Sequence, residues 1–80
     1  MLVHLGEATV VSTREIVGIF DMAAAAGGES TRAFLEEART TGRLRDLSGG
    51  DAKSLVLTIK GTFLSPISPS TLQRKIAKGP

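Results

Sequence analysis

The chain has 80 residues, no Cys and one His, with ten basic and eight acidic residues for a formal net charge of +2. This excludes disulfides, thiolate chemistry and cysteine- or multi-histidine metal sites within one chain, and no apolar run approaches the ~18 residues of a membrane-spanning helix. So small a domain buries only about 60% of its unfolded surface, which makes self-association the expected staple.

Leu2-Val3-His4-Leu5 and Thr9-Val10-Val11-Ser12 are short apolar or β-branched runs separated by Gly6, which predicts two strands joined by a tight connection. From Arg14 the chain continues Glu15-Ile16-Val17-Gly18-Ile19-Phe20, a predicted strand with Ile16 and Phe20 on one face and Val17 and Ile19 on the other. A strand apolar on both faces is internal or covered by another subunit, which makes Val17 and Ile19 the candidate oligomer interface. A short buried helix is the competing assignment, and periodicity does not separate the two here.

Met22 to Gly28 reads as a small-residue connection ended by a Gly pair. Ser30 is the expected N-cap of a helix over residues 31–41, with Thr31, Phe34, Leu35 and Ala38 inward and Glu36, Glu37 and Thr40 outward. Gly42 stands where a left-handed residue ends such a helix. Residues 43–47 read as extended or irregular and 48–51 as a turn or mobile loop. Leu55, Leu57 and Ile59 then alternate with Val56, Thr58 and Lys60, a period-2 strand with one face wetter than the other. Gly61 turns it into Thr62-Phe63-Leu64 as a hairpin. Ser68-Pro69 is an N-cap followed by Pro at the first helical position. The helix it opens, over residues 69–77, turns Leu72 and Ile76 inward and Arg74, Lys75 and Lys78 outward. The predicted class is α+β: one domain over residues 1–80, a small, mainly antiparallel sheet with two short helices.

No enzyme is expected. Gly27-Gly28-Glu29-Ser30-Thr31 lacks the spacing of a phosphate loop, and Glu29 repels an anion. Glu36 and Glu37, adjacent on a helix, point ~100° apart and do not converge on a substrate. His4 has no identifiable Ser or carboxylate partner, and a satisfied structural histidine is the favoured reading. No cofactor, metal or small-molecule substrate is implied. With no basic stretch at Met1-Leu2-Val3-His4, the expected compartment is the cytoplasm.

The basic residues are the better candidates. Residues 1–38 hold two basic and six acidic groups, a net of −4, whereas residues 39–80 hold eight basic and two acidic groups, a net of +6. Such a half suits a polyanion, the acidic surface of a second copy, or an ordinary solvated surface. Arg14 opens an otherwise apolar strand, Arg43 and Arg45 are two apart, and Lys53 precedes the clearest strand, which makes these four the candidate DNA contacts. With no Trp or Tyr and three Phe, phosphate contacts on duplex DNA fit better than base stacking.

The blocks His4-Leu5-Gly6, Val10-Val11-Ser12-Thr13-Arg14-Glu15-Ile16-Val17-Gly18-Ile19-Phe20-Asp21 and Leu64-Ser65-Pro66-Ile67-Ser68-Pro69-Ser70-Thr71-Leu72 resemble the bacterial extracellular-matrix regulator family (RemA/RemB), chiefly its RemB-like branch. The similarity covers nearly the whole chain and is weaker over residues 22–30 and 43–52. The resemblance implies a small α+β protein that regulates transcription of matrix and biofilm genes. It also implies a ring-like homo-oligomer, larger than a dimer, with duplex DNA held on its outside through arginines. Arg14 matches the family's DNA-contacting arginine. The RemA-like branch also has consecutive arginines just before the strand near Ser54; here those places hold Gly50 and Asp51, with Lys53 the nearby basic residue. That departure points to the alternative, a regulatory adaptor that does not bind DNA. An enzyme assembled at a subunit interface, gathering His4 and neighbouring carboxylates, is the third and most distant reading.

Overall fold

The computed structural model describes residues 1–25 and 27–77, so the outward position expected of Lys78 lies outside the described residues. Leu2–Gly6 (β1) and Thr9–Ser12 (β2) form an antiparallel ribbon with Val3 opposite Val11. Glu7 and Ala8 both have positive φ, 47° and 61°, the hand that a two-residue hairpin loop requires. The ribbon buries Val3, Leu5 and Val11 and turns Leu2, His4 and Val10 to solvent.

A 3₁₀ turn over Thr13–Glu15 then precedes the strand Ile16–Asp21 (β3). Arg14 therefore stands on a turn and does not open the strand itself; the Ser12 hydroxyl accepts from its backbone N–H. Leu44–Asp46 (β4), Ser54–Thr58 (β5) and Gly61–Ser65 (β6) complete a four-stranded sheet in the order β3-β5-β6-β4. Its pairings are antiparallel except β4 with β6. The class is α+β, with the ribbon a separate sheet.

Three helical segments complete the fold. Met22–Ala25 (α1) is a single turn where a connection was expected; alanine favours helix, and Asp21 Oδ1 accepts from the Ala23 N–H at its start. Glu29–Thr40 (α2) begins earlier than expected, with Gly28 as its N-cap, so Ser30 lies within the helix and caps nothing. Its end is a Schellman motif: Arg43 N–H bonds Ala38 C=O, Gly42 N–H bonds Arg39 C=O, and Gly42 takes φ 76°. Pro69–Ala77 (α3) begins as predicted, with the Ser68 hydroxyl accepting from Thr71 N–H. Gly61 is fixed by close approach, since a Cβ there would sit 3.0 Å from the Arg43 carbonyl oxygen at φ 149°.

The core joins Val3, Leu5, Val11, Leu47, Val56, Phe63 and Leu72, with Ile16, Ile19, Ile67 and Ile76 packed against it. The ribbon and α3 thus cover one sheet face, and the Ser65 hydroxyl donates to Leu5 C=O at 2.6 Å to fasten ribbon to sheet. Val56, in the row that carries Thr58 and Lys60, is fully buried, so the row that reads as wetter faces the core. On the other face Leu55 and Leu64 are buried too.

A β-bulge changes the faces of β3. Ile16 lies opposite Thr58 and Gly18 opposite Leu57, leaving Val17 as the extra residue. Ile16 and Ile19 consequently both reach the core, whereas Phe20, opposite Leu55, takes the other face. This corrects the expected pairing of Val17 with Ile19: Val17 is 70% exposed, and Ile19 is turned inward. The two charge halves of the sequence do not form two faces either, because β3 from the acidic half pairs with β5 from the basic half.

Candidate nucleic-acid interface

Strand direction decides which cations meet. β3, β6 and β4 run one way and β5 runs back. The start of β3, the turn at Ile59 and Lys60, and the start of β4 therefore share one end of the sheet. That end carries Arg14 on the 3₁₀ turn, Lys60 between β5 and β6, and Arg43 immediately before β4. Arg45 follows within β4, and Arg39 lies in the last turn of α2. Backbone bonds lock these segments side by side: Ile59 N–H donates to Glu15 C=O and Thr62 N–H to Arg43 C=O, each at 2.9 Å. With strands ~4.8 Å apart, the rim from β3 to β4 spans about 14 Å. All five basic residues are exposed.

Their charges are not equally available. Lys60 Nζ lies 2.9 Å from Glu15 Oε2, the one ion pair among the described residues. The hydrogen bond from Lys60, aided by its charge, holds the Glu15 carboxyl below its ordinary value. Arg14, Arg43 and Arg45 make no such pair among the described residues. The Arg45 guanidinium stands 5.7 Å from the centre of the Phe63 ring, a cation–π contact that braces it at the sheet edge. Asp46, at the far end of β4, accepts from the Ser48 hydroxyl and N–H, and these bonds, with the more distant charge of Arg39, lower its carboxyl.

Lys53 is elsewhere. It precedes β5 at the opposite end of the sheet, where its C=O accepts from Met22 N–H and its N–H donates to Ser65 C=O. The length of β5, roughly 17 Å, separates it from the rim. Gly50 and Asp51 lie on the turn after β4, toward that same far end. Of the four expected contacts, the fold gathers Arg14, Arg43 and Arg45 and leaves Lys53 apart. Lys60 escaped the sequence reading because a strand-end lysine looks like ordinary solvation. The available signal was its place beside Gly61: a hairpin there returns the chain to the end where Arg14 begins.

Among the described residues, the side chains weighed for catalysis do not come together as the rim cations do. His4 is exposed on the ribbon, with no side-chain hydrogen bond among the described residues, so it is not the satisfied structural histidine expected. Glu36 and Glu37 are exposed. An open groove of about 460 Å³, floored by Phe20, Phe34, Leu55 and Leu57, offers one carboxylate, Asp21, which is engaged at the start of α1. Among the described residues no group of three or more His, Cys, Asp or Glu could hold a metal ion, and no helix is long and apolar enough to cross a membrane.

Two comparisons with known proteins agree with one another. The sequence model of the family described as RemA-like, Extracellular matrix regulatory protein A-like, matches residues 2–76. The chain is also 39% identical over 75 residues to Extracellular matrix regulatory protein B of Bacillus subtilis (strain 168), spanning 94% of this chain and 89% of that protein.

Proposed function

The chain belongs to the RemA-like family of extracellular matrix regulatory proteins, and from that premise we propose that it is a DNA-binding regulator of matrix-gene transcription acting as a homo-oligomer. The observation that carries this reading is the cationic rim, where Arg14 and Arg43 flank Lys60 across one end of the sheet, with Arg45 beside them. Guanidinium groups on backbone-locked segments suit phosphate oxygens, whose contacts position a duplex without reading its bases. A span of about 14 Å admits only a few phosphates per copy, so binding draws on repetition. A closed, ring-like assembly larger than a dimer presents several rims at once, and weak contacts then act together through effective concentration. Val17 supplies the exposed apolar surface for assembly, while Ile19 supports it from the core side. Lys53, at the other end of the sheet, lies outside the rim and makes a separate, secondary contact. The protein works in the cytoplasm as a regulator and not a catalyst, with no cofactor, small-molecule substrate or membrane.

The test is an anisotropy titration on a short labelled duplex. Arg14→Ala and Arg43→Ala should each weaken binding to all sequences alike and flatten its salt dependence. Binding indifferent to salt and to both substitutions would overturn the reading. One observation favours the adaptor alternative: Gly50 and Asp51 are exposed at the places where the resemblance gives the RemA-like branch its consecutive arginines.

A further inference from the structure

Lys60 is the one rim cation held in an ion pair among the described residues, and the fold presents it openly. Its side chain is 74% exposed, whereas that of its partner Glu15 is 22% exposed. The turn that carries it, between β5 and β6, is held without the ammonium. Thr58 Oγ1 accepts from Lys60 N–H and donates to Gly61 C=O at 2.8 Å. Backbone bonds fix Glu15 on one side of this turn and Arg43 on the other. With the turn at the middle of the rim, Arg14 and Arg43 each stand about 7 Å to the side, within an arginine's length.

This grouping supplies three elements of acyl transfer to a lysine: an exposed amine, a carboxylate to take its proton, and an anchor for a phosphate leaving group. We propose that Lys60 is a modification site, acylated by an acyl phosphate, and that the modification weakens the rim's hold on DNA. An arginine holds the donor's phosphate as it would a phosphate of a duplex, which brings the acyl carbon to Nζ. The Lys60 nitrogen, as the free amine, forms the new N–C bond, and the C–O bond to phosphate breaks. Of the two protons that the ammonium gives up, one leaves with the phosphate as hydrogen phosphate. The other passes through Glu15 Oε2, 2.9 Å from Nζ, to water. The product is a neutral amide that no longer pairs with Glu15. Glu15 then stands as a bare carboxylate beside Arg14 and Arg43, and the three free cations of the rim act as two. The acylation does not depend on DNA binding, whereas its regulatory effect rests on the DNA-binding reading above.

The probe is acetyl phosphate, added to the folded chain without DNA and followed by peptide mass spectrometry. Lys60 should be acetylated about threefold or more faster than Lys53 and Lys75, which are exposed but have no ion pair among the described residues. N-acetoxysuccinimide, an acyl donor with no phosphate, should show no such preference. Glu15→Gln, and Arg14→Ala combined with Arg43→Ala, should each lower the preference with acetyl phosphate. Equal rates at the three lysines, or the same Lys60 preference with both donors, would overturn the site. The regulatory effect is read by duplex anisotropy, with folding verified by circular dichroism. Lys60→Gln, the neutral stand-in for the acetylated side chain, should flatten the salt slope per copy from about −2.7 to about −1.8. Lys60→Arg should keep the slope, and adding Glu15→Gln to Lys60→Gln should return it to about −2.7. Lys60→Gln binding like the unaltered protein would overturn the switch. Failure of the unaltered chain to bind a duplex would overturn the DNA-binding reading and the switch with it, whereas the acetylation rates test the site alone.

Discussion

Replacing Glu15 by Gln should strengthen duplex binding, because Glu15 cancels a cation in the middle of the rim. Its carboxylate lies 2.9 Å from Lys60 Nζ, between the positions of Arg14 and Arg43. Gln keeps the shape and a hydrogen-bond acceptor and removes the charge. The pair is solvent-exposed on the Lys60 side, so the fold loses little. The free cations of the rim then rise from Arg14, Arg43 and Arg45 to include Lys60. Each neutralised phosphate adds about −0.9 to the slope of log affinity against log salt. Three contacts per copy give about −2.7 and four about −3.6. Raising salt from 50 to 200 mM should then weaken binding, per copy engaged, roughly 40-fold in the unaltered protein and roughly 150-fold in Glu15→Gln, from a tighter start. Arg14→Ala runs the other way, to about −1.8. The assay is fluorescence anisotropy at four or five salt concentrations, with slopes compared per copy engaged. Equal slopes in the three proteins would refute the assignment of this rim to phosphate.

Leu72→Ala should destabilise the chain by about 2–5 kcal/mol in a denaturant titration, since Leu72 is fully buried between α3 and the sheet; a loss below ~1 kcal/mol would contradict the packing described. Gly61→Ala should lower the thermal midpoint through positive-φ strain of about 1–3 kcal/mol and contact with the Arg43 carbonyl, and an unchanged midpoint would show that the β5–β6 turn is built differently. Glu15 and Asp46 are both held below their ordinary values, so their stabilisation is present above the unfolded carboxylate range near pH 4 and is lost as pH falls through the lowered values. Denaturant midpoints measured down the acid range should therefore decline there, and a rise on acidification would contradict the sign. Gly50→Arg combined with Asp51→Arg should leave duplex binding at the rim nearly unchanged, because the loop after β4 lies toward the opposite end of the sheet, and a clear gain would show that the far end faces DNA as well.

What the sequence made legible was local. Ser68-Pro69 marks the start of α3 because a hydroxyl cap and a fixed φ act within one turn, and Gly42 and Gly61 mark chain reversals that few other residues tolerate. The α+β class follows from the same short-range signals. Features that depend on a neighbour across the sheet were hidden. Val56 looks like part of a wet row beside Thr58 and Lys60, but the ribbon and α3 cover that face. The bulge at Val17 inserts one residue into a period-2 pattern, so every face assignment after it changes, and Ile19 moves inward. Gly28 begins α2 with no side-chain cap, which leaves no sequence signal at its true start. The rim was half visible: Arg14, Arg43 and Arg45 are prominent as residues, but their meeting place depends on the strand order, with β4 parallel to β6. The same order carries Lys53 to the far end.

The most direct test of the central claim is light scattering on the eluting protein, alone and mixed with a duplex, at near-physiological salt. The account predicts a closed assembly larger than a dimer that co-elutes with the duplex, and whose DNA peak is lost in Arg14→Ala combined with Arg43→Ala while its own mass is retained. A monomer at micromolar concentration, or an assembly that elutes apart from the duplex at low as well as moderate salt, would contradict it.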